Sequence, residues 1–514
     1  NKARRNPACH PLMKAPPYLG LPQIDLSKIL AALCACVNSS PALAASDRSP
    51  YNGTTMQPDR PSPQTPQPRA ALHTLGCRLN QAETALLADR LRQAGYALVE
   101  FGEPTDLLVL NTCSVTERAE ADCRNLVRRT LHRSPHAFVA VTGCYAQTGA
   151  DALRRISGID LIVGTQYKMQ LPDYLPTPAA LRKPPTPQVL HTRRIEREEF
   201  TLPGTGEYSS ARACLKIQDG CDFMCSFCII PFARGHERSR HLADAVREAE
   251  ALAARGHREV VLTGVNIGRY NFDGCSLLDL IQRLERVAGL DRIRISSIEP
   301  TTVPDELLDY MASSPKLCRY LHVPLQSGDD AILKAMNRRY TAREYRVFIE
   351  KAARRIPELG LGTDLMVGFP GESEAQFANT LALANDLPFD YFHVFTFSRR
   401  PGTAAARMRQ PAHSRTIKAR RDTLAALSRA KRLASYQRHI GRTLRVLFES
   451  QEPSGRWTGL TSNFIRVVAE SPEDLANRIR DVVITGAMDG LAVGDLVPCQ
   501  PVSLPLVSLA ECTQ

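Results

Sequence analysis

Three cysteines close together in the middle of the chain limit most strongly what it can fold into. Cys221, Cys225 and Cys228 lie in the run Gly-Cys-Asp-Phe-Met-Cys-Ser-Phe-Cys-Ile-Ile-Pro-Phe-Ala-Arg-Gly, with three and then two residues between them. That spacing on a turn lets three thiolates converge, and thiolates are the ligands that iron–sulfur clusters take. A structural zinc loop is the other reading. It wants a fourth Cys or His at similar spacing, and His236 lies too far along the loop to be the obvious choice. Three ligands leave one iron of a 4Fe-4S cluster open to a further ligand.

Upstream, an α/β rhythm begins at Arg69. The pattern predicts strands over 70–76, 106–111, 137–143 and 161–163, with helices over 81–94 (closed by Gly95), 117–132 and 151–156 between them. Such alternation implies a parallel sheet. Cys77, Cys113 and Cys144 each follow the carboxyl end of an expected strand. In an open parallel sheet those ends share one edge, which is where ligands bind. Any one of these cysteines alone reads as a buried core residue. Three at equivalent positions read better as the ligands of a second cluster, while Cys123, inside a helix, reads as core.

After a Pro-rich link over 171–187, a strand over 213–217 runs straight into Cys221. Five more strands are predicted over 259–263, 292–296, 320–325, 362–367 and 391–397, with helices between them. Six β/α units predict a partial barrel whose active site lies at the carboxyl ends of the strands. That face collects Thr263, Gly264, Asn266, Ser297, Glu299, Gln326, Gly368 and Gly371. Glycines there permit close backbone approach to a ligand, although ordinary βα turns use them as well. Asp364 falls inside a strand, where a carboxylate needs a partner or a ligand.

The net charge of +12 is concentrated. From Arg399 to Arg445 there are fourteen Lys or Arg against the single acid Asp422, which leaves 51 basic and 52 acidic residues elsewhere. Such a segment is the footprint of a phosphate-backbone binder, or else a solvated helix face. It carries an expected helix over 416–437, followed by short strands over 443–448, 456–460, 465–468 and 482–485 that predict a small β-barrel. Trp457, Phe464 and Arg466 offer stacking and cation–π contacts to RNA, with the Trp more naturally seated in the barrel core.

The fifteen cysteines would suggest disulfides in a small secreted chain. In 514 residues, with the clearest ones at metal-type spacing, they indicate a reducing cytoplasm instead. Residues 1–68 are Pro-rich, and their one apolar run, 29–37, is too short to span a bilayer. They read as a disordered extension or as sequence upstream of a true start at Met13 or Met56. The fold class is therefore α/β in three parts: a parallel α/β cluster domain over 69–185, a partial barrel with its basic connector over 205–437, and a small β-barrel over 438–504.

With both cysteine sets located, the stretch from about Arg69 to Val502 resembles the radical-SAM methylthiotransferases. The motifs that carry the likeness are the two cysteine signatures, Leu-Gln-Ser-Gly and Val-Gly-Phe-Pro-Gly-Glu, in that order. Thr-Leu-Gly-Cys-Arg-Leu-Asn-Gln-Ala-Glu-Thr, Leu-Lys-Ile-Gln-Asp-Gly-Cys and Cys-Ile-Ile-Pro-Phe-Ala-Arg-Gly are most similar to the branch of that family that modifies threonylcarbamoyladenosine in tRNA. The resemblance implies two 4Fe-4S clusters and S-adenosyl-L-methionine (SAM). Cys221, Cys225 and Cys228 would hold the SAM-cleaving cluster, and Cys77, Cys113 and Cys144 an auxiliary cluster that carries or supplies sulfur. Thr263, Gly264, Asn266, Ser297, Glu299, Gln326, Asp364 and the 368–372 loop would shape the SAM pocket, and the last part would be a TRAM domain. The implied reaction adds a methylthio group to C2 of N6-threonylcarbamoyladenosine. Its implied partners are the tRNA anticodon loop, a flavodoxin- or ferredoxin-like electron donor and a sulfur donor, with no membrane. The same chemistry on isopentenyladenosine of tRNA or on a ribosomal-protein Asp is the nearest alternative, and a non-catalytic RNA-binding iron–sulfur sensor is a more distant one. Residues 1–68 match nothing in the family pattern, and Gly164-Thr165 stands where relatives usually show Gly-Asn.

Overall fold

A computed structural model describes residues 67–498 except 116, 207, 209, 409–411 and 489. The expectations for residues 1–66 and 499–504 lie outside the described residues. Six parallel strands form the first sheet: β1 (Arg69–Thr74), β2 (Ala97–Val99), β3 (Leu107–Thr112), β4 (Phe138–Gly143), β5 (Leu161–Val163) and β6 (Gln188–Leu190), in the order β2-β1-β3-β4-β5-β6. Every residue of β3 and β4 is buried. Their near-continuous apolar runs are what a parallel strand covered on both faces requires. Helix α1 (Arg78–Gln93) lays Leu87 and Leu91 into one core and ends before Gly95, whose φ of 92° closes it. Helix α2 (Glu117–Arg133) covers the opposite face with Cys123 and Val127, so Cys123 is core as expected.

Two strands escape the periodicity. Both β2 and β6 are three-residue edge strands, too short for an alternating pattern to show, and β6 carries the sheet past the expected boundary at 185. The Pro-rich stretch is also more than a link, because Leu171 within it is fully buried beside Leu87 and Leu91.

The central unit has the six expected strands: β7 (Arg212–Lys216), β8 (Glu259–Thr263), β9 (Arg292–Ile295), β10 (Tyr320–His322), β11 (Gly360–Val367) and β12 (Tyr391–Thr396). They form two parallel three-stranded sheets, β9-β8-β7 and β10-β11-β12, joined by bridges from Ile293 to Leu317 and from Ser297 to His322. β7 and β12 do not pair with each other, so the barrel is partial. Helix α1 of the first sheet packs Ala82 onto Cys214 of β7 and Val261 of β8.

Helix α3 (Ser414–Gln437) leads to a closed barrel of β13 (Thr443–Gln451), β14 (Trp457–Thr461), β15 (Arg466–Ala469), β16 (Ile479–Met488) and β17 (Leu491–Leu496). The last strand closes it and was not among the four expected. The barrel seats on the amino ends of the central strands. Arg292 at the start of β9 donates to the carbonyls of Leu460 and Arg445, Arg294 donates to those of Thr461 and Ser462, and Arg212 pairs with Glu449 at 2.6 Å. Phe464 stacks on Tyr320 with ring centres 4.3 Å apart, so it is engaged beneath the central unit instead of being presented to RNA. Trp457 is buried in the barrel and Arg466 is exposed.

The basic segment divides between structure and surface. Arg420 is buried against Glu372 at 2.7 Å, Lys431 donates to the carbonyls of Asn385 and Leu387, and Arg432 lies over the Tyr391 ring. Arg415, Lys418, Arg429 and Arg445 remain exposed. The fully buried Arg294–Glu259 pair anchors the barrel seat. Arg294→Met leaves the buried Glu259 carboxylate with only Arg292, at 3.9 Å, as an ion-pair partner and should cost about 3–5 kcal/mol. A fall in the urea midpoint would show this, and an unchanged midpoint would count against the seat.

Candidate cluster and cofactor site

The first group of thiols is assembled by strand register. β1 pairs Thr74 with Asn111 of β3, and β3 pairs Thr112 with Gly143 of β4, so Cys77, Cys113 and Cys144 leave the sheet at one edge. Gly76 has φ 102°, and a Cβ on it would stand 2.9 Å from the Cys113 sulfur. A side chain there would push that thiol away. Asn80 braces the edge, donating to the carbonyls of Leu75 and Thr112 at 2.8 and 3.1 Å. Burial pushes the Cys113 thiol up to about 11, with Cys144 and Cys77 adding to the rise. Cys144 is raised by burial too, against the pull of Arg234 and Lys168. Cys77 is exposed.

The second group sits on the loop after β7, at the carboxyl end of the barrel. Gly220, at φ 70°, lets the chain pass where a Cβ would meet the His236 carbonyl. The loop is pinned from the far sheet: Ser226 N–H donates to the Met336 carbonyl at 2.9 Å, and Asn337 donates to that of Met224 at 2.9 Å. Burial raises Cys221 to about 11 and Cys228 to about 12, the neighbouring thiols contributing. Arg338 reaches the Cys225 sulfur at 3.4 Å and pairs with Glu299, whose carboxyl burial nevertheless raises. The described cysteines are free thiols. Both groups offer thiols, the donors that an iron–sulfur cluster takes, but among the described residues no three Cys, His, Asp or Glu side chains are already gathered as a set that could hold a metal ion.

The other expected site residues are distributed around the second group. Thr263 is buried with its hydroxyl on the Val261 carbonyl, and a Cβ on Gly264 would press on Ile267 and Gln218. Gln218 accepts from the N–H groups of Val265 and Asn266, both at 2.8 Å, and donates to the Gly220 carbonyl at 2.8 Å, tying this loop to the cysteine loop. Both side-chain polar atoms of Asn266 are buried without a hydrogen-bond partner among the described residues. Such an amide calls for a ligand. Gln326 and Asp364 line a cavity of about 260 Å³ together with Val115, Cys228, Met366 and Phe395. Asp364 has the partner its strand position demanded, His322 at 3.0 Å. Ser297 is exposed. Gly368 donates to Glu372 at 2.8 Å in a turn held by Arg420, and nothing approaches Gly371.

Between the two thiol groups lies a buried ionic network. Glu83 of α1 accepts from Lys168 at 2.5 Å, Lys216 at 2.7 Å and Arg234 at 2.9 and 3.0 Å. Arg234 also reaches Asp219 at 3.0 Å and Asn80 at 2.6 Å, and Lys216 reaches Asp219 at 2.7 Å. None of these side chains was a sequence candidate. Arg234 stood in view within Phe-Ala-Arg-Gly, but its partner Glu83 is 151 residues away, and no local pattern joins them.

The surrounding cations hold the Glu83 carboxyl well below the usual carboxylate range, and Asp219 is lowered likewise. A depressed carboxylate stabilises the fold fully above its unfolded value of about 4.3 and loses that contribution as pH falls below it. Glu83→Gln takes the carboxylate partner from buried Lys168 and leaves Lys216 and Arg234 to share Asp219, and should cost about 3–5 kcal/mol. Stability measured from pH 7 down to pH 3 should fall less steeply in the variant than in the parent. A parallel pair of curves would contradict the assignment.

Residues 215–384 match the Radical SAM superfamily, and residues 69–164 match the Uncharacterized protein family UPF0004. The Threonylcarbamoyladenosine tRNA methylthiotransferase MtaB of Bacillus subtilis is 36% identical over 424 residues, 81% of this chain and 94% of its own length. Its namesake in Aquifex aeolicus is 34% identical over 81% of this chain and 100% of its own. A tRNA-2-methylthio-N(6)-dimethylallyladenosine synthase of Cereibacter sphaeroides is 37% identical over 80% of this chain and 94% of its own. The likeness runs through the first sheet, the cysteine loop and the partial barrel together, and the chain belongs to the radical SAM methylthiotransferase family.

Proposed function

We propose that this chain adds a methylthio group to C2 of N6-threonylcarbamoyladenosine beside the anticodon of tRNA. The observation that carries the chemistry is the pair of thiol groups brought to one junction, with a cavity of about 260 Å³ bordered by Cys228 and by Val115 of the first sheet's edge. Two relatives named for threonylcarbamoyladenosine support the substrate.

Cys221, Cys225 and Cys228 would hold the cluster that binds SAM, and Cys77, Cys113 and Cys144 the one that carries or supplies sulfur. When bound, the first supplies the reducing electron for SAM cleavage, the radical chemistry that a strong adenine C–H bond with no acidic proton demands. The chain's own residues position and shield. Gln218 fixes the cysteine loop to the 264–266 loop, so the unsatisfied Asn266 amide stands ready for polar groups of SAM, with Thr263, Gly264, Glu299, Gln326, Asp364 and the 368–372 turn around it. Val115, Phe227 and Phe395 give the cavity apolar walls, with Val115 and Phe395 half exposed at its mouth. Exposed Arg415, Lys418 and Arg429 offer phosphate contacts that orient the RNA without reading its sequence.

An anticodon-loop purine leaves its stack more cheaply than a paired base, which suits a buried reaction site. In this reading, residues 69–185, 205–437 and 438–504 are the methylthiotransferase, radical-SAM and TRAM domains. A flavodoxin- or ferredoxin-like protein donates electrons, a separate donor renews the sulfur, and the work is cytoplasmic. Among the described residues no helix is long and apolar enough to cross a membrane.

Mass spectrometry of tRNA nucleosides from cells with and without the gene tests this. Only the methylthio derivative of threonylcarbamoyladenosine should disappear, and re-expression of a Cys77/Cys113/Cys144→Ala chain should fail to restore it. Loss of methylthio-isopentenyladenosine instead would overturn the substrate.

A further inference from the structure

Sequence identity does not separate the two substrates, since relatives named for each are 34–37% identical to this chain. The N6 groups themselves differ sharply in chemistry. A threonylcarbamoyl group ends in a carboxylate and a hydroxyl, whereas a dimethylallyl group is hydrocarbon. A site that takes the first needs a free cation in a polar pocket, and one that takes the second needs an apolar slot.

A cavity of about 640 Å³ lies where α1 crosses the concave face of β7 and β8, lined by Thr74, Cys77, Arg78, Gln81, Ser210 and Cys214 among others. Two arginines face it. Arg212 is committed to Glu449 at 2.6 Å. Arg78 is half-buried and has no hydrogen-bond or ion-pair partner among the described residues. It lines the cavity together with Cys214 of β7 and Val261 of β8.

C2 and N6 lie along the same edge of adenine. A base held with C2 between the Cys77 group and the Cys228 cavity and its N6 substituent toward the larger cavity would set that substituent against the wall that Cys77 and Arg78 share. We propose that Arg78 binds the carboxylate of the threonylcarbamoyl group and so selects that nucleotide over one bearing a hydrocarbon at N6. The proposal rests on the threonylcarbamoyladenosine reading above and adds the residue that enforces it. An arginine fork pairs with a carboxylate through two parallel hydrogen bonds, which gives geometry as well as charge.

The test is binding of the full chain to anticodon stem–loop RNAs that differ only at the target adenine: unmodified, threonylcarbamoyl, its methyl ester, or dimethylallyl. The parent chain should favour the threonylcarbamoyl RNA over the unmodified one by about tenfold or more, the worth of a charge-assisted hydrogen bond. Esterification should remove that preference, Arg78→Gln should erase it, and Arg78→Lys should keep part of it. Arg78 adjoins Cys77, so a disturbed thiol group would weaken all four RNAs alike, while a lost carboxylate contact moves only their ratio. A preference that survives both esterification and Arg78→Gln overturns the role of Arg78 and leaves the substrate standing. A parent chain that favours the dimethylallyl RNA overturns the substrate reading and this proposal together.

Discussion

Glu83 is a carboxylate with no access to water and three cations within hydrogen-bonding distance. Two of those cations, Lys216 and Arg234, belong to the central unit, while Glu83 and Lys168 belong to the first sheet. A buried charge that loses a partner is far more costly than one never buried, so the two units accept one relative placement. That placement matters because the ion network is short in sequence from both thiol groups. Asn80, which Arg234 also grips, comes three residues after Cys77, and Arg234 comes six residues after Cys228. The electrostatic junction adjoins the cysteines, and the Arg234 charge opposes the rise that burial imposes on the Cys144 thiol.

The small barrel is placed by the opposite logic. It holds the amino ends of the central strands through arginines that donate to its backbone carbonyls, at the end of the strands away from the cysteines. Helix α3 spans the two ends of the central unit: Ile417 lies against Gly368 just past the carboxyl end of β11, and Tyr436 packs into the barrel core. The concentrated basic segment therefore has two uses. Arg420 and Lys431 lock α3 to the central unit, while Arg415, Lys418 and Arg429 are left for the solvent side.

What could be read from sequence alone follows from the range of the forces involved. Buried parallel strands such as Leu107–Thr112 and Phe138–Gly143 announce themselves as apolar runs, and a Cys just beyond each run is visible as a pattern. Short pieces, β2, β6 and the closing β17, carry too few residues for a period to show. The Glu83–Arg234 pair is a long-range contact between residues that are individually unremarkable, and Arg338 on the Cys225 sulfur is equally invisible until the loop folds back. Phe464 shows the reverse error. An aromatic on a barrel loop suggests base stacking, but its ring is spent on Tyr320 and Tyr391.

The proposal that each of the two thiol groups takes a cluster is tested most directly by the iron content of the anaerobically reconstituted full chain. The parent should hold about eight iron atoms per chain, as two 4Fe-4S clusters. Cys221/Cys225/Cys228→Ala and Cys77/Cys113/Cys144→Ala should each hold about four, with the Mössbauer signature of an intact 4Fe-4S cluster in both. Four irons in the parent, or a Cys77/Cys113/Cys144→Ala chain that keeps all eight, would contradict it.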